Sequence, residues 1–160
     1  MTELSDQHQK RSDKWRDAVA QTFIHNMPFN QLLGLELVHY DAQRVEIKLP
    51  MQKKLLGNPI QSILHGGVTA SILDVAGGMI VAACAIEKNV ELSREELSKR
   101  LANMGTIDLR IDYLRPGFGE CFYATAEVIR TGNKVAVARM ELHNQDNVHI
   151  AFGTGTYLVG

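Results

Sequence analysis

Cysteine is scarce in this chain. Two occur among 160 residues, Cys84 and Cys121, with no C-x-x-C or other ligand spacing between them. That excludes a disulfide-stapled scaffold and reads as two buried, reduced thiols of a cytosolic protein. An excess of one charge is missing too: 17 Lys and Arg stand against 18 Asp and Glu, a formal net charge of -1. The electrostatic footprint of a nucleic-acid or anionic-membrane binder is therefore absent. Met1 to Arg16 is polar and of mixed charge, unlike a signal peptide. No G-x-S-x-G elbow and no P-loop occurs. His8, His25, His39, His143 and His149 show no H-x-H or H-E-x-x-H spacing, so no metal is expected. Long apolar runs are limited to one.

That run organises the rest. Gly57-Asn58-Pro59 begins a turn-rich segment that ends in His65-Gly66-Gly67, and a long helix of small and apolar residues follows. Between Gly66 and Ile86 the single acidic or basic side chain is Asp74. A helix apolar all round is buried in a core or in a bilayer. This one is barely long enough to span a membrane, holds four glycines and a carboxylate, and lacks basic flanks. It reads as a core helix, and a carboxylate inside it must be used or neutralised.

Around it the pattern is mostly sheet. Residues 12–26 put Trp15, Ala18, Val19, Thr22 and Phe23 on one helical face, with fraying polar residues before them and Pro28 as the stop. Strands are expected at 35–40, 44–49, 106–114, 121–131, 134–143 and 148–158. In 106–114 the alternation points Ile107, Leu109, Ile111 and Tyr113 inward. Ser93-Arg94-Glu95-Glu96 fits a capping box opening a short helix at 94–102. Hairpin connections make the sheet antiparallel, and one long helix covers its one apolar face. The expected class is α+β: an antiparallel sheet wrapped around a central helix, with residues 1–28 as a helical extension and 29–160 as the main domain. A helix apolar on every side leaves a face its own sheet cannot cover, which predicts a second copy.

Asn58, His65-Gly66-Gly67, Asp74 nine residues after His65, Tyr113-Leu114-Arg115-Pro116-Gly117 and the ending Gly153-Thr154-Gly155-Thr156-Tyr157 together resemble the hotdog-fold acyl-CoA thioesterases. Within them the chain is similar to the branch that includes the phenylacetic-acid-pathway thioesterase. The resemblance covers roughly residues 29–160 and implies sites between subunits, in a dimer or dimer of dimers, with no cofactor beyond the CoA of the substrate. Many such proteins carry Thr or Ser one turn beyond the acid. Here Gly77 stands there, so that hydroxyl is missing or supplied from elsewhere.

Thioester hydrolysis needs donors for a growing oxyanion and a base for water. Gly66 and Gly67 open the helix, where amides lack intrahelical partners and the dipole is positive. The amide of one of them is the candidate oxyanion donor. Asp74 is the candidate base, or a nucleophile forming an anhydride. Asp74 lies about 12 Å along the axis from Gly66, so one carbonyl cannot meet both in the same chain. The other reading of Asp74 is a structural carboxylate bonded to hydroxyls or backbone. Asn58 is a site candidate that reads equally as a loop staple, and His65 is one that reads first as a residue holding the loop. Arg115, Arg130 and Lys134 are candidates for the CoA phosphates, or plain solvated charges. Ile63, Leu64, Val68, Leu73 and Met79 suggest an apolar tunnel for a fatty acyl chain. The rival readings are a non-catalytic acyl-CoA-binding module and a hotdog hydratase or dehydratase; in both the partner is a small-molecule thioester, and neither nucleic acid nor membrane.

Overall fold

The protein, a computed structural model describing residues 2–160, begins with helix α1 (Thr2–Ala20). A π-helical turn (Gln21–Asn26), helix α2 (Pro28–Leu33) and strands β1 (Glu36–Tyr40) and β2 (Val45–Pro50) follow. A short hairpin, β3 (Leu56–Asn58) and β4 (Ile63–Leu64), leads into helix α3 (Gly66–Lys88). Helix α4 (Arg94–Ala102) precedes the last four strands, β5 (Gly105–Tyr113), β6 (Cys121–Thr131), β7 (Val135–Asn144) and β8 (His149–Leu158).

Six strands form one sheet in the order β1-β2-β6-β7-β8-β5, with every pairing antiparallel. Its apolar face holds α3. In β2, Val45, Ile47 and Leu49 are fully buried, while Glu46 and Lys48 point the other way. Ala124, Ala126, Ala136 and Ala138 stand at the centre of the sheet and let the helix come close. Ile72, Leu73, Met79 and Ile80 fill the space from the helix side, all fully buried. Each such side chain contributes about 1.5–3 kcal/mol by leaving water. By length and composition α3 could cross a bilayer, yet 67% of its most apolar window is buried inside this fold.

Four details differ from the sequence reading. Helix α1 starts at Thr2 rather than Ser12, because polar residues before Ser12 are drawn into contacts with the segment after α3: His8 meets the Glu91 carboxylate and Arg11 donates to the Leu92 carbonyl. Pro28 ends one helical segment and opens another, as the first residue of α2, where its missing N–H costs nothing. A bulge between Thr106 and Asp108 turns Ile107 outward, 58% exposed. Tyr113 keeps to the helix side of the sheet, opposite Ala151, yet is 55% exposed, with its hydroxyl reaching the start of α3.

The expected capping box is present, with Ser93 and Glu96 bonded to each other's backbone amides. It fixes α4, whose Arg100 donates to the carbonyls of Val159 and Asn133. Val19 packs on Ala82 and Ile86, so α1 covers the C-terminal half of α3. The N-terminal half keeps an incompletely covered strip of Gly67, Ala70, Ser71, Asp74 and Val75. Beside it, β5 pairs only with β8, so its other edge has no strand partner among the described residues.

Candidate active site

Three close approaches hold the start of α3. A Cβ on Gly57 would stand 2.7 Å from the His65 Cα, and one on Gly117 would stand 2.8 Å from the Leu64 Cβ. Both glycines therefore let loops lie flat against the segment entering the helix. The Leu64 and His65 amides donate to the carbonyls of Gly117 and Leu55. The Tyr113 hydroxyl donates to the Gly66 carbonyl at 2.7 Å. The Tyr113–Gly117 motif is thus a clamp on the helix entrance.

His65 is the N-cap. Its Nδ1 accepts from the Gly67 amide at 2.9 Å, and its carbonyl accepts from Val68 and Thr69. With Nδ1 accepting, the neutral ring carries its proton on Nε2. Of the amides in this first turn, that of Gly66 has no acceptor among the described residues. Asn58 is adjacent, and its Oδ1 accepts from the amides of Ile60 and Gln61, an Asx-turn that shapes the β3–β4 loop. Its Nδ2 has no acceptor among the described residues.

Asp74 lies two turns further along, half-buried on the incompletely covered strip. Its Oδ1 accepts from the Thr106 hydroxyl at 3.0 Å and from the Tyr157 hydroxyl at 3.3 Å. Oδ2 has no donor among the described residues. Burial, then the Asp74 carboxylate beside it, push the Tyr157 hydroxyl well above the usual tyrosine range, so it stays protonated and donates. Gly77 makes this possible. A Cβ there would stand 2.0 Å from the Tyr157 hydroxyl, and one on Gly155 would stand 2.6 Å from the same ring. The hydroxyl absent from position 77 is replaced by one that reaches in from β8. Gly77 therefore serves a helix–sheet contact.

The chain brings together Asn58, His65, Gly66, Gly67 and Arg115 at one end of α3. Arg115, in the loop after β5, donates to the His149 carbonyl at the start of β8. Arg130 and Lys134 sit at the far end, where the β6–β7 turn receives Lys88 through the Thr131 carbonyl. Gly66 and Lys88 are about 33 Å apart along the axis. Of the expected tunnel residues, Leu64, Leu73 and Met79 are buried in the core. Tyr157, Thr106 and Tyr113 are the site neighbours that spacing alone did not single out as such.

On the opposite face of the sheet, the pairing of β7 with β8 gathers Glu141, His143 and His149, with one ligand atom from each within 4.8 Å of the others. The His143 and His149 rings are stacked at 4.4 Å and 14°. Lone pairs lying in two nearly parallel ring planes do not converge on one ion.

Helix entrance, carboxylate and sheet are the setting for the comparison with known proteins. Residues 61–151, from the turn before α3 into β8, match the thioesterase superfamily. The chain belongs to that family. It is 51% identical over 142 residues to the medium/long-chain acyl-CoA thioesterase YigI of Escherichia coli K12, covering 89% of this chain and 92% of that one. A Shewanella oneidensis crystal structure related to the thioesterase superfamily superposes with a TM-score of 0.90 at 50% identity, over 93% of this chain and 97% of that one. The E. coli PaaI protein of the phenylacetic acid degradation operon superposes with a TM-score of 0.72 over 94% of both chains; at 20% identity it speaks for the fold alone. The antiparallel sheet around α3 is the hotdog fold, and the protein is a thioester hydrolase.

Proposed function

We propose that this protein hydrolyses medium- to long-chain fatty acyl-CoA to free acid and CoA, at two equivalent sites built between paired copies of the chain. The substrate class is supported by the 51% identity to YigI along nearly the whole chain. Shared sites are supported by one observation above all: the free Gly66 amide and the outward Asp74 carboxylate stand about 12 Å apart on one rigid helix. Antiparallel packing of two α3 helices brings Gly66 of one copy opposite Asp74 of the other. The partly covered strip and the unpaired β5 edge are the surfaces such a dimer buries.

In this reading water attacks the thioester carbonyl carbon and Asp74 Oδ2 takes its proton, while Thr106 and Tyr157 hold Oδ1. The carbonyl oxygen, now an oxyanion, accepts from the Gly66 amide of the second copy at the positive end of its helix. Gly66 serves rather than Gly67, whose amide is occupied by His65. Collapse breaks the C–S bond, and the departing CoA thiolate takes a proton. Direct attack by Oδ2, giving an anhydride that water then opens, uses the same atoms; a single turnover in heavy-oxygen water separates the two by labelling Asp74 only in the second. Arg115 is placed to meet CoA at the Gly66 end. No cofactor takes part, and the free thiols Cys84 and Cys121 fit a cytoplasmic enzyme.

Thiol release across acyl-CoA lengths tests the reading, with Asp74→Asn as the control. Activity on fatty acyl-CoA and a loss of about 100- to 10,000-fold in Asp74→Asn are expected. Asp74→Asn turning over as fast as the parent overturns the assignment. Binding of acyl-CoA without release makes the chain a binding module instead.

A further inference from the structure

Two helices that the sheet does not require, α1 and α4, flank the C-terminal half of α3 and leave a groove of 430 Å³ between them. Trp15, Val19 and Phe23 form one wall, Leu101 and Met104 the other, and Ala82 lies at the floor. The α3 residue at its floor, Ala82, stands eight residues past Asp74 on the same helix. Asp74, Gly78 and Ala82 succeed one another at four-residue steps, so they run along one side of α3. Gly78, half-buried between the other two, has no side chain, and the Phe23 ring of the groove wall packs there, 3.4 Å from where a Cβ would stand, so a chain running from Asp74 to Ala82 passes beside that ring. On the other side Thr106, which holds Asp74, is two residues from Met104 in the groove wall.

We propose that this groove takes the distal part of the substrate's acyl chain, so that α1 and α4 set the preference for long chains. The proposal rests on the acyl-CoA reading above. It commits to a methylene chain because the groove is apolar and lies further along the side of α3 that carries the reacting carboxylate. Ala82 is about 12 Å beyond Asp74 along the axis. An extended chain advances about 1.3 Å per carbon, the projection of a ~1.5 Å bond, and so reaches Ala82 near its ninth or tenth carbon. Shorter chains never enter. Each methylene beyond that point which leaves water for the groove favours the complex about fourfold.

Ala18 and Ala102 line the groove from exposed positions, so Ala18→Phe and Ala102→Phe fill it without disturbing the core. Palmitoyl-CoA is expected to lose about tenfold or more in kcat/KM in these variants, while hexanoyl-CoA stays within about twofold of the parent. Trp15 gives a second readout that needs no turnover, because it is the single tryptophan of the chain. A non-hydrolysable palmitoyl-CoA thioether brominated near its methyl end should quench Trp15; the same analogue brominated near the carbonyl should not. An unchanged length profile in both filled variants, or equal quenching by the two analogues, overturns the proposal. So does quenching that favours the near-carbonyl bromine, which would place a head group at the Arg11, Lys14 and Arg94 end of the groove. If the parent hydrolyses no acyl-CoA the functional reading falls, and the quenching still decides whether a chain occupies the groove.

Discussion

Gly77→Ala isolates the contact that orients Asp74. On helix propensity alone, alanine in the middle of α3 should stabilise the protein by about 1 kcal/mol. Packing argues the other way. The new methyl would stand 2.0 Å from the Tyr157 hydroxyl, 2.7 Å from Cζ and 3.1 Å from the Met140 sulfur. Tyr157 cannot simply retreat, since its ring already lies on the Gly155 backbone. Overpacking of this kind costs about 1–3 kcal/mol. A displaced hydroxyl also forfeits its bonds to Asp74, at about 1 kcal/mol. The balance is a loss of about 1–3 kcal/mol, or roughly 3–9 °C in Tm for a chain of this size. Thermal or urea unfolding reads the first effect and thiol release the second, because Asp74 loses a donor. Adding Tyr157→Phe removes the nearest clashing atom and should return part of the stability. A Gly77→Ala protein that is more stable by the full propensity gain, with turnover unchanged, would refute the placement of Tyr157 between helix and acid.

Thr106→Val and Tyr157→Phe each remove one donor from Asp74 Oδ1; thiol release should fall by about tenfold or more in each while the fold is kept, and an unchanged rate in both would show that the carboxylate orients itself without them. His65→Ala removes the helix cap and should cost about 1 kcal/mol in urea unfolding, with His65→Asn restoring most of it because asparagine also caps. If His65→Asn regains stability but not turnover, the ring does more than cap. Burial, then the neighbouring His149 ring, hold His143 below the usual histidine pKa despite Glu141. The unfolded chain therefore binds that proton more readily, so this contribution is complete above about pH 6.5 and is lost as pH falls below it. His143→Gln should flatten that decline in an unfolding series across pH, and a decline of unchanged steepness would place its source elsewhere.

Local patterns were readable wherever local chemistry decided the outcome. The alternation in β2, the apolar length of α3 and the Ser93–Glu96 capping box each depend on residues a few positions apart, and each is found as expected. Asp74 stood out because a carboxylate in an apolar helix is costly anywhere. Its surroundings were not readable in the same way. Tyr157 lies 83 residues away and reaches Asp74 only through the β8 register and the room left by Gly77 and Gly155. Arg130 and Lys134 looked like companions of Arg115, since turn position says nothing about which end of the sheet a turn occupies. Leu73 and Met79 looked like tunnel lining because periodicity cannot tell a face turned to the sheet from a face turned to a ligand. The bulge at Ile107 breaks an alternation that was perfect in the sequence.

Sites that take their amide from one copy and their acid from the other can be rebuilt by mixing two differently damaged subunits. Gly66→Pro removes the donor cleanly. Proline suits the first position of a helix, the preceding His65 is already extended at φ -63 and ψ 132, and the nearest side chain, Tyr113, leaves ordinary contact distance. Gly66→Pro and Asp74→Asn dimers should each be nearly inactive, with both sites of each dimer damaged. Unfolded together and refolded at equal amounts, half the dimers are mixed and carry one intact site, so about a quarter of the parent thiol-release rate should return. A refolded mixture that forms mixed dimers yet stays as inactive as its components would contradict the account.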